Sequence, residues 1–278
     1  MIIAVLIVLG LCFGSFDNAL VWRLRELSKP KKQRVASKGD LSITKGRSMC
    51  PDCQHTLAWY DLVPVLSWLS VHGKCRYCHR PISAQYPIVE LVTAALFVIS
   101  YLYWPQTVVG RGLFDLGIWL AAVTAFMALT IYDLRWMLLP DKIVYPLITL
   151  AGLNRLLDSL IFHTTWRSFL GSIVGAIIGG GLFYVLFQVS DGKWIGGGDV
   201  KLGFALGFLA GDPLQAGLVL MVASVLGIIG ALPAIVTGKM RRDLQIPFGP
   251  FLMAGCFIVV LFGQSLTTWY VRVLLPSS

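Results

Sequence analysis

A succession of long apolar runs constrains the fold of this chain more than any other feature. A membrane-spanning helix needs roughly 20 mostly apolar residues, and about eight runs meet or approach that length. The chain has 278 residues, 56% hydrophobic and 13% charged, which is more apolar than a soluble domain of this size. We therefore expect an all-α polytopic membrane protein with about eight transmembrane helices. The runs are approximately Ile2–Val21, Tyr86–Trp104, Leu113–Tyr132, Ile143–Phe162, Phe169–Val189, Val200–Leu209, Leu214–Val236 and Phe248–Val271.

A basic cluster directly after the first run predicts the topology. Lysine and arginine are retained in the cytoplasm, so the amino terminus should lie outside and this loop inside. Counting spans from there places Asp133, Asp199 and a second basic loop on the cytoplasmic side. The positive charge then reflects topology and attraction to anionic lipid, and no nucleic-acid partner is expected. The basic residues are Arg23, Arg25, Lys29, Lys31, Lys32, Arg34, Lys38, Lys45 and Arg47, followed later by Lys239, Arg241 and Arg242.

Residues 23–85 form a soluble cytoplasmic segment between a first transmembrane helix (1–22) and a transmembrane catalytic domain (86–278). The segment contains Cys50-Pro51-Asp52-Cys53 and Cys75-Arg76-Tyr77-Cys78. Two such motifs about 20 residues apart are typical of a zinc ribbon, because each presents two thiolates to a tetrahedral metal. Two disulfides or a redox pair are the alternatives, and a cytoplasmic location argues against stable disulfides. The predicted ligands of a structural Zn²⁺ are Cys50, Cys53, Cys75 and Cys78.

Two aspartates lie where a lipid-embedded chain should not keep them. Asp133 ends an apolar run, and Asp199 follows Gly196, Gly197 and Gly198 before another. Ionisable groups at membrane depth indicate a functional site with a partner. Two carboxyls can serve one another by sharing a proton, as in an aspartic protease that activates water. The helix ends on which they lie favour Asp199 as the ionised base and Asp133 as the proton donor.

The residues alone also allow other functions for these aspartates. Paired intramembrane aspartates beside broken helices also suit a proton- or cation-coupled transporter, and a non-catalytic assembly scaffold is a third possibility. Asp141, after Pro140, is the main rival to Asp133, whereas Asp191 is expected in a solvated turn. Lys201 projects away from Asp199 on its helix and is read as an interfacial anchor or a substrate contact.

Several motifs in order along the chain resemble those of the bacterial prepilin peptidases, the type IV leader peptidases of the GxGD aspartyl membrane protease group. The resemblance covers nearly the whole chain. One position departs from it, because leucine is usual where this chain has Asp17. The motifs are Gly14-Ser15-Phe16 with Asn18 and Arg23, the two Cys pairs, Tyr86-Pro87-Ile88-Val89-Glu90-Leu91, Asp133-Leu134 running to Leu139-Pro140-Asp141, and Gly196-Gly197-Gly198-Asp199-Val200-Lys201-Leu202.

The resemblance implies a bifunctional enzyme of the bacterial inner membrane. Its catalytic aspartates would be Asp133 and Asp199, and cleavage would follow the glycine that ends the basic leader of type IV prepilins or pseudopilins, on the cytoplasmic side. Many members also methylate the new amino terminus with S-adenosylmethionine. The soluble segment contains no Rossmann-type glycine motif, so its residues alone would not have suggested the methyltransferase activity. The residues expected near substrate or methyl donor are Glu90, Lys201, Gly196, Gly197 and Gly198.

Overall fold

The computed structural model describes residues 1–37, 39–43, 45–161, 165–236 and 246–274. Lys38 and the second basic loop with Lys239, Arg241 and Arg242 lie outside these ranges. Within them, the expected all-α architecture is confirmed, since the only extended pairing consists of two isolated bridges. The helices are α1 (Ile2–Ser28), α2 (Leu66–Ser70), α3 (Gln85–Leu102), α4 (Arg111–Trp136), α5 (Asp141–Ile161), α6 (Trp166–Val189), α7 (Gly197–Ala210), α8 (Pro213–Val236) and α9 (Gly249–Leu274).

Six of the described helices, α1, α3, α4, α6, α8 and α9, are long and apolar enough to cross a membrane by length and composition. The other two of the eight apolar runs correspond to α5 and α7. The α7 helix has 14 residues, which is short for a span, and α5 carries charge at Asp141, Lys142, Arg155 and Asp158. Both pack within the helices of the second half of the chain.

The chain forms two compact units, residues 1–102 and 103–278. The first unit contains α3, which the sequence-based boundary at residue 86 had grouped with the catalytic domain. Helix α3 packs along α1 through small residues: a Cβ atom on Gly10 would lie 2.5 Å from the Cα of Ala94, and one on Gly14 would lie 2.6 Å from the Cα of Glu90. Such close approach of backbones is how helices associate in lipid.

A buried arginine near the end of α1 organises the first part of the connecting loop. The Arg23 guanidinium donates to the carbonyl oxygens of Ser42 at 3.0 Å, Ile43 at 3.2 Å and Gly46 at 3.0 Å. These three bonds fix a turn that has no regular secondary structure of its own. A positive residue that the topology argument counted only as charge is therefore also a structural centre of the loop.

The second unit is centred on α7, which packs against α5, α6, α8 and α9. Its contact with α6 is made backbone to backbone through glycines. A Cβ on Gly179 would lie 2.5 Å from the carbonyl oxygen of Gly203, and one on Gly207 would lie 2.5 Å from the Cα of Ala176. The glycine spacing of four residues on both helices produces this seam. It holds the short helix that carries Asp199.

Candidate active site and metal centre

Asp133 is buried on the last turn of α4. The helix ends at Met137, whose left-handed conformation (φ 51°) lets its N–H return to the Asp133 carbonyl at 2.8 Å. The Asp133 side chain accepts a hydrogen bond from the backbone N–H of Gly249, the first residue of α9. The carboxyl therefore meets the unpaired N–H groups at the amino terminus of a helix far along the chain.

Asp199 lies in the first turn of α7, with Gly196 as the N-cap residue. Its carboxyl accepts a hydrogen bond from the backbone N–H of Gly196. This is the reverse half of a capping box, in which an acidic third residue satisfies the N-cap donor. The carboxyl is also within Coulombic range of Asp133. Both aspartates thus accept from a helix amino terminus while facing the same region.

Leu139, in the short turn after Asp133, joins the two sides of this region. A Cβ on Gly198 would lie 2.9 Å from the Leu139 Cβ, and a Cβ on Gly249 would lie 3.5 Å from its Cδ2 and 2.6 Å from the Asp133 Oδ2. The ends of α4, α7 and α9 therefore converge on one cluster. Two partly buried carboxyls within Coulombic range of each other are a suitable arrangement for acid and base catalysis by one ionised and one neutral group.

The rival acids have other environments. Asp141 begins α5, is exposed, and accepts a hydrogen bond from the Lys201 Nζ at 2.7 Å. Lys201 also lies over the ring of Tyr145, 5.1 Å from its centroid. Asp191 is exposed in a left-handed turn (φ 49°), as expected for a solvated loop. Asp141 is thus engaged by Lys201, and the sequence did not reveal that pairing because sixty positions separate the two residues.

Glu90 lies in the first unit, buried in the second turn of α3. Its Oε2 accepts the backbone N–H of Val65 at 2.7 Å, and the carboxyl also bonds the Ser15 side chain. Nearby on α1, Asn18 donates to the Tyr86 carbonyl at 3.2 Å. Asp17, the position where the chain departs from the resemblance, is fully buried, and neither of its carboxyl oxygens has a hydrogen-bond partner among the described residues.

The four predicted metal ligands come together in the first unit. All four sulfur atoms lie within 4.8 Å of one another, and the Sγ atoms of Cys50 and Cys78 are 3.9 Å apart. Tetrahedral zinc with Zn–S bonds of about 2.3 Å separates its sulfurs by about 3.8 Å, so the donor set and spacing fit such an ion. Burial opposes ionisation of Cys75, but backbone N–H groups of Cys78 and Tyr77 lower the pKa of its thiol to about 7.

Both knuckles have the same local geometry, which the residue types alone do not reveal. The N–H of Gln54 returns to the Cys50 carbonyl at 2.9 Å, and that of His79 returns to the Cys75 carbonyl at 2.9 Å. Gln54 and His79 both adopt left-handed conformations, with φ 58° and 57°. His55 of the first knuckle stacks on Tyr77 of the other knuckle with ring centroids 3.6 Å apart.

The sequence did not identify two backbone donors, the Gly249 N–H that bonds Asp133 and the Val65 N–H that bonds Glu90. Pro250 after Gly249 is a usual sign that a helix begins, but only the tertiary structure shows that this helix meets Asp133. Val65 has a positive φ of 60°, which is rare for a β-branched residue and has no sequence signal.

Comparison with known proteins identifies two matched regions. Residues 8–104 match the family described as Bacterial Peptidase A24 N-terminal domain, and residues 120–263 match the Type IV leader peptidase family. A prepilin leader peptidase/N-methyltransferase of Aeromonas hydrophila is 32% identical over 94% of this chain and 91% of its own length. A protein of the same name from Burkholderia pseudomallei (strain K96243) is 34% identical over 94% of this chain and 85% of its own length. Another, from Bacillus subtilis (strain 168), is 29% identical over 98% of this chain and 99% of its own length. No solved structure gives a significant match.

Proposed function

Because this chain belongs to the type IV leader peptidase family, we propose that Asp133 and Asp199 are the carboxyls with which it hydrolyses prepilin leaders. The protein is a multi-pass membrane enzyme that cleaves the leader and N-methylates the new amino terminus. The observation that supports the residue assignment is the convergence of both carboxyls with Leu139, at the ends of three helices. Neither the transporter nor the scaffold alternative gains support from the relatives.

The proposed reaction uses one ionised and one neutral carboxyl. The carboxylate accepts a proton as a water molecule attacks the glycyl carbonyl carbon, and the neutral acid protonates the carbonyl oxygen. The tetrahedral intermediate then collapses and the C–N bond breaks, as the carboxyl that took the water proton gives it to the leaving amine. The other carboxyl, now ionised, takes back a proton from a hydroxyl of the intermediate, so the pair again holds one proton. Asp133 and Asp199 make all of these proton transfers. Which of the two holds the proton at rest stays a prediction, because both accept an N–H at a helix amino terminus.

Substrate contacts are proposed around the start of α7. Gly196, Gly197 and Gly198 precede Asp199 without side chains, which leaves the backbone accessible to an extended peptide, and Lys201 lies two residues beyond. The prepilin leader is basic, so the exposed carboxylate of Asp141, which pairs with Lys201, has the charge to attract it. An active site on the cytoplasmic face, with the amino terminus outside, is proposed from the charge pattern of the loops. Cleavage after glycine is proposed from membership of the family.

Two further groups are proposed for the first unit. Structural Zn²⁺ would be held by the four clustered thiols and would stabilise the loop between α1 and α3, as zinc does in small domains with little core. S-adenosylmethionine carries two cationic groups, and Glu90 is the carboxyl proposed to lie near it. The methyl donor supplies the methyl group, and Glu90 would bind and orient it.

Substitution of the acids tests the catalytic assignment. Asp133→Asn and Asp199→Asn should each abolish leader cleavage in purified, reconstituted protein, whereas Asp191→Asn should retain it. Mass spectrometry of the pilin amino terminus separates cleavage from methylation, and methylation of a pre-cleaved pilin peptide verifies that each variant is folded. An Asp133→Asn enzyme that still cleaves would remove Asp133 from the dyad.

A further inference from the structure

The segment between the two cysteine knuckles presents an apolar face that its own module leaves uncovered. Trp59 is 78% exposed, Leu66 is 64% exposed and Leu69 is 55% exposed, and Leu62 is also exposed. Trp59 and Leu62 lie at the two ends of a 3₁₀ turn, and Leu66 and Leu69 lie one turn apart on the outer face of α2. Four large exposed apolar side chains within residues 59–69 mark an interaction surface.

The inner face of the same segment is already used. Trp68 points into the module, where its Nε1 donates to the Ile82 carbonyl at 3.2 Å. Its ring also packs on Gly73, where a Cβ would lie 2.8 Å from the Trp68 Cζ2. The helix is thus fixed to the second knuckle by Trp68, and the outward direction of Leu66 and Leu69 follows from that contact.

The depth of the segment is set by its bond to a membrane-spanning helix. The N–H of Val65, the residue before α2, donates to Glu90 at 2.7 Å, and Glu90 lies in the second turn of α3, one of the six helices suited to span a membrane. The side chains on either side of Glu90 that face outward, Ile88 and Leu91, are exposed and apolar. The start of α2 is therefore held at the level of the second turn of α3.

We propose that Trp59, Leu62, Leu66 and Leu69 insert into the lipid interface of the membrane, so that the segment between the knuckles is an interfacial anchor of the cysteine module. Tryptophan is favoured at this depth because its ring is apolar and its N–H is polar. Exposed Lys74 on the same module suits anionic phospholipid headgroups. The proposed partner of these side chains is lipid. Contact with a prepilin or with a second copy of the chain would contradict the proposal.

Photochemical labelling in a bilayer tests the proposal. The full-length protein carrying p-benzoylphenylalanine in place of Leu66 or Leu69 is placed in nanodiscs of phosphatidylethanolamine and phosphatidylglycerol, irradiated, and analysed by mass spectrometry. Both variants should gain the mass of a phospholipid. Asp52→p-benzoylphenylalanine, on the exposed tip of the first knuckle, is the matched control and should gain none. Retained prepilin cleavage shows that each variant is folded.

A second measurement covers the case in which these variants do not fold. Lipids whose acyl chains are brominated close to the headgroup quench the fluorescence of tryptophans at the interface. The fluorescence lost to these lipids should be smaller in Trp59→Phe than in the parent protein, because Trp59 no longer contributes to it. An unchanged loss of fluorescence, or labelling of Leu66 that yields only protein-protein adducts, would overturn the lipid assignment. Since prepilin cleavage is measured independently, failure here leaves the catalytic assignment unaffected.

Discussion

The three glycines before Asp199 should differ sharply in their tolerance of a methyl group. A Cβ on Gly197 would lie 3.8 Å from the Phe187 ring, and one on Gly196 would lie 3.5 Å from Asp199 Oδ2, both ordinary contacts. On Gly198 it would lie 2.9 Å from the Cβ of Leu139. That atom is fixed to the backbone of the turn after Asp133, so no side-chain rotation can relieve the clash.

The size of the effect follows from these distances. Two carbon atoms pack at about 3.5 to 4.0 Å, so a Cβ at 2.9 Å forces a shift of about 0.6 to 1.1 Å in the Leu139 turn or in α7. Misplacement of a catalytic group by about 1 Å can cost about 100-fold in rate. We therefore expect Gly198→Ala to lower kcat for leader cleavage by about 10- to 100-fold, with an overpacking cost of about 1 to 3 kcal/mol in stability.

The same substitution at Gly197 provides the matched control. Alanine is favoured over glycine in a helix by about 0.8 to 1 kcal/mol, so Gly197→Ala should be as stable as the parent or more so. Cleavage of a purified prepilin by each reconstituted variant gives kcat and KM, and thermal unfolding gives stability. Because Gly197 is proposed to lie near the substrate, the two variants are compared by kcat, which a loss of substrate binding alone leaves unchanged. If Gly198→Ala keeps the parental kcat, or if kcat of Gly197→Ala falls equally, the steric argument is wrong.

Three further predictions rest on single contacts. Gly249→Ala places a Cβ 2.6 Å from Asp133 Oδ2 and should lower cleavage by about 10-fold or more, measured by the same assay. Asp141→Asn weakens a half-exposed pair with Lys201 worth about 0.2 to 1 kcal/mol, so cleavage should fall by no more than about fivefold. Elemental analysis should find one zinc per chain, and Cys75→Ser should lose it and expose the surrounding loop to protease.

Two of these predictions have a control in the chain. Gly217→Ala, where a Cβ would meet nothing within 4 Å, should leave cleavage unchanged. Cys12→Ser, at an exposed position of α1, should keep its zinc. Zinc retained by Cys75→Ser would exclude that thiol as a ligand, and an inactive Asp141→Asn would place Asp141 in the catalytic machinery.

The elements that the sequence predicted are those with strong local signals. Apolar runs predicted the membrane helices, and the paired Cys motifs predicted the thiol cluster. The grouping of α3 with α1 was missed, although Gly10 and Gly14 are spaced as small residues are in helix pairs. The Val65–Glu90 bond could not be predicted, because it joins a strained loop residue to a helix that the boundary had assigned to another domain.

Each aspartate is affected by more helix ends than the end of its own helix. On its own helix, Asp133 lies at a carboxyl end and Asp199 lies at an amino end, and the sequence-based prediction of their protonation rested on these two ends alone. The structure adds the amino terminus of α9, whose Gly249 N–H reaches Asp133. A helix dipole acts on whatever lies near its end, including groups from other helices, so the two aspartates are more alike than their own helices indicate.

The position of Asp199 depends on how both ends of α7 are held. At the carboxyl end, Arg155 donates to the carbonyl oxygens of Phe208 at 2.9 Å and Leu209 at 2.7 Å, satisfying groups that a helix leaves unpaired. Arg155 also lies 3.9 Å from the Asp158 carboxyl, but Asp158 pairs more closely with Arg111, at 2.9 Å. Arg155 is thus mainly a cap for α7. Together with the glycine seam along α6, this cap fixes a 14-residue helix at both its side and its end. The proposed sharing of a proton between Asp199 and Asp133 would require that rigidity.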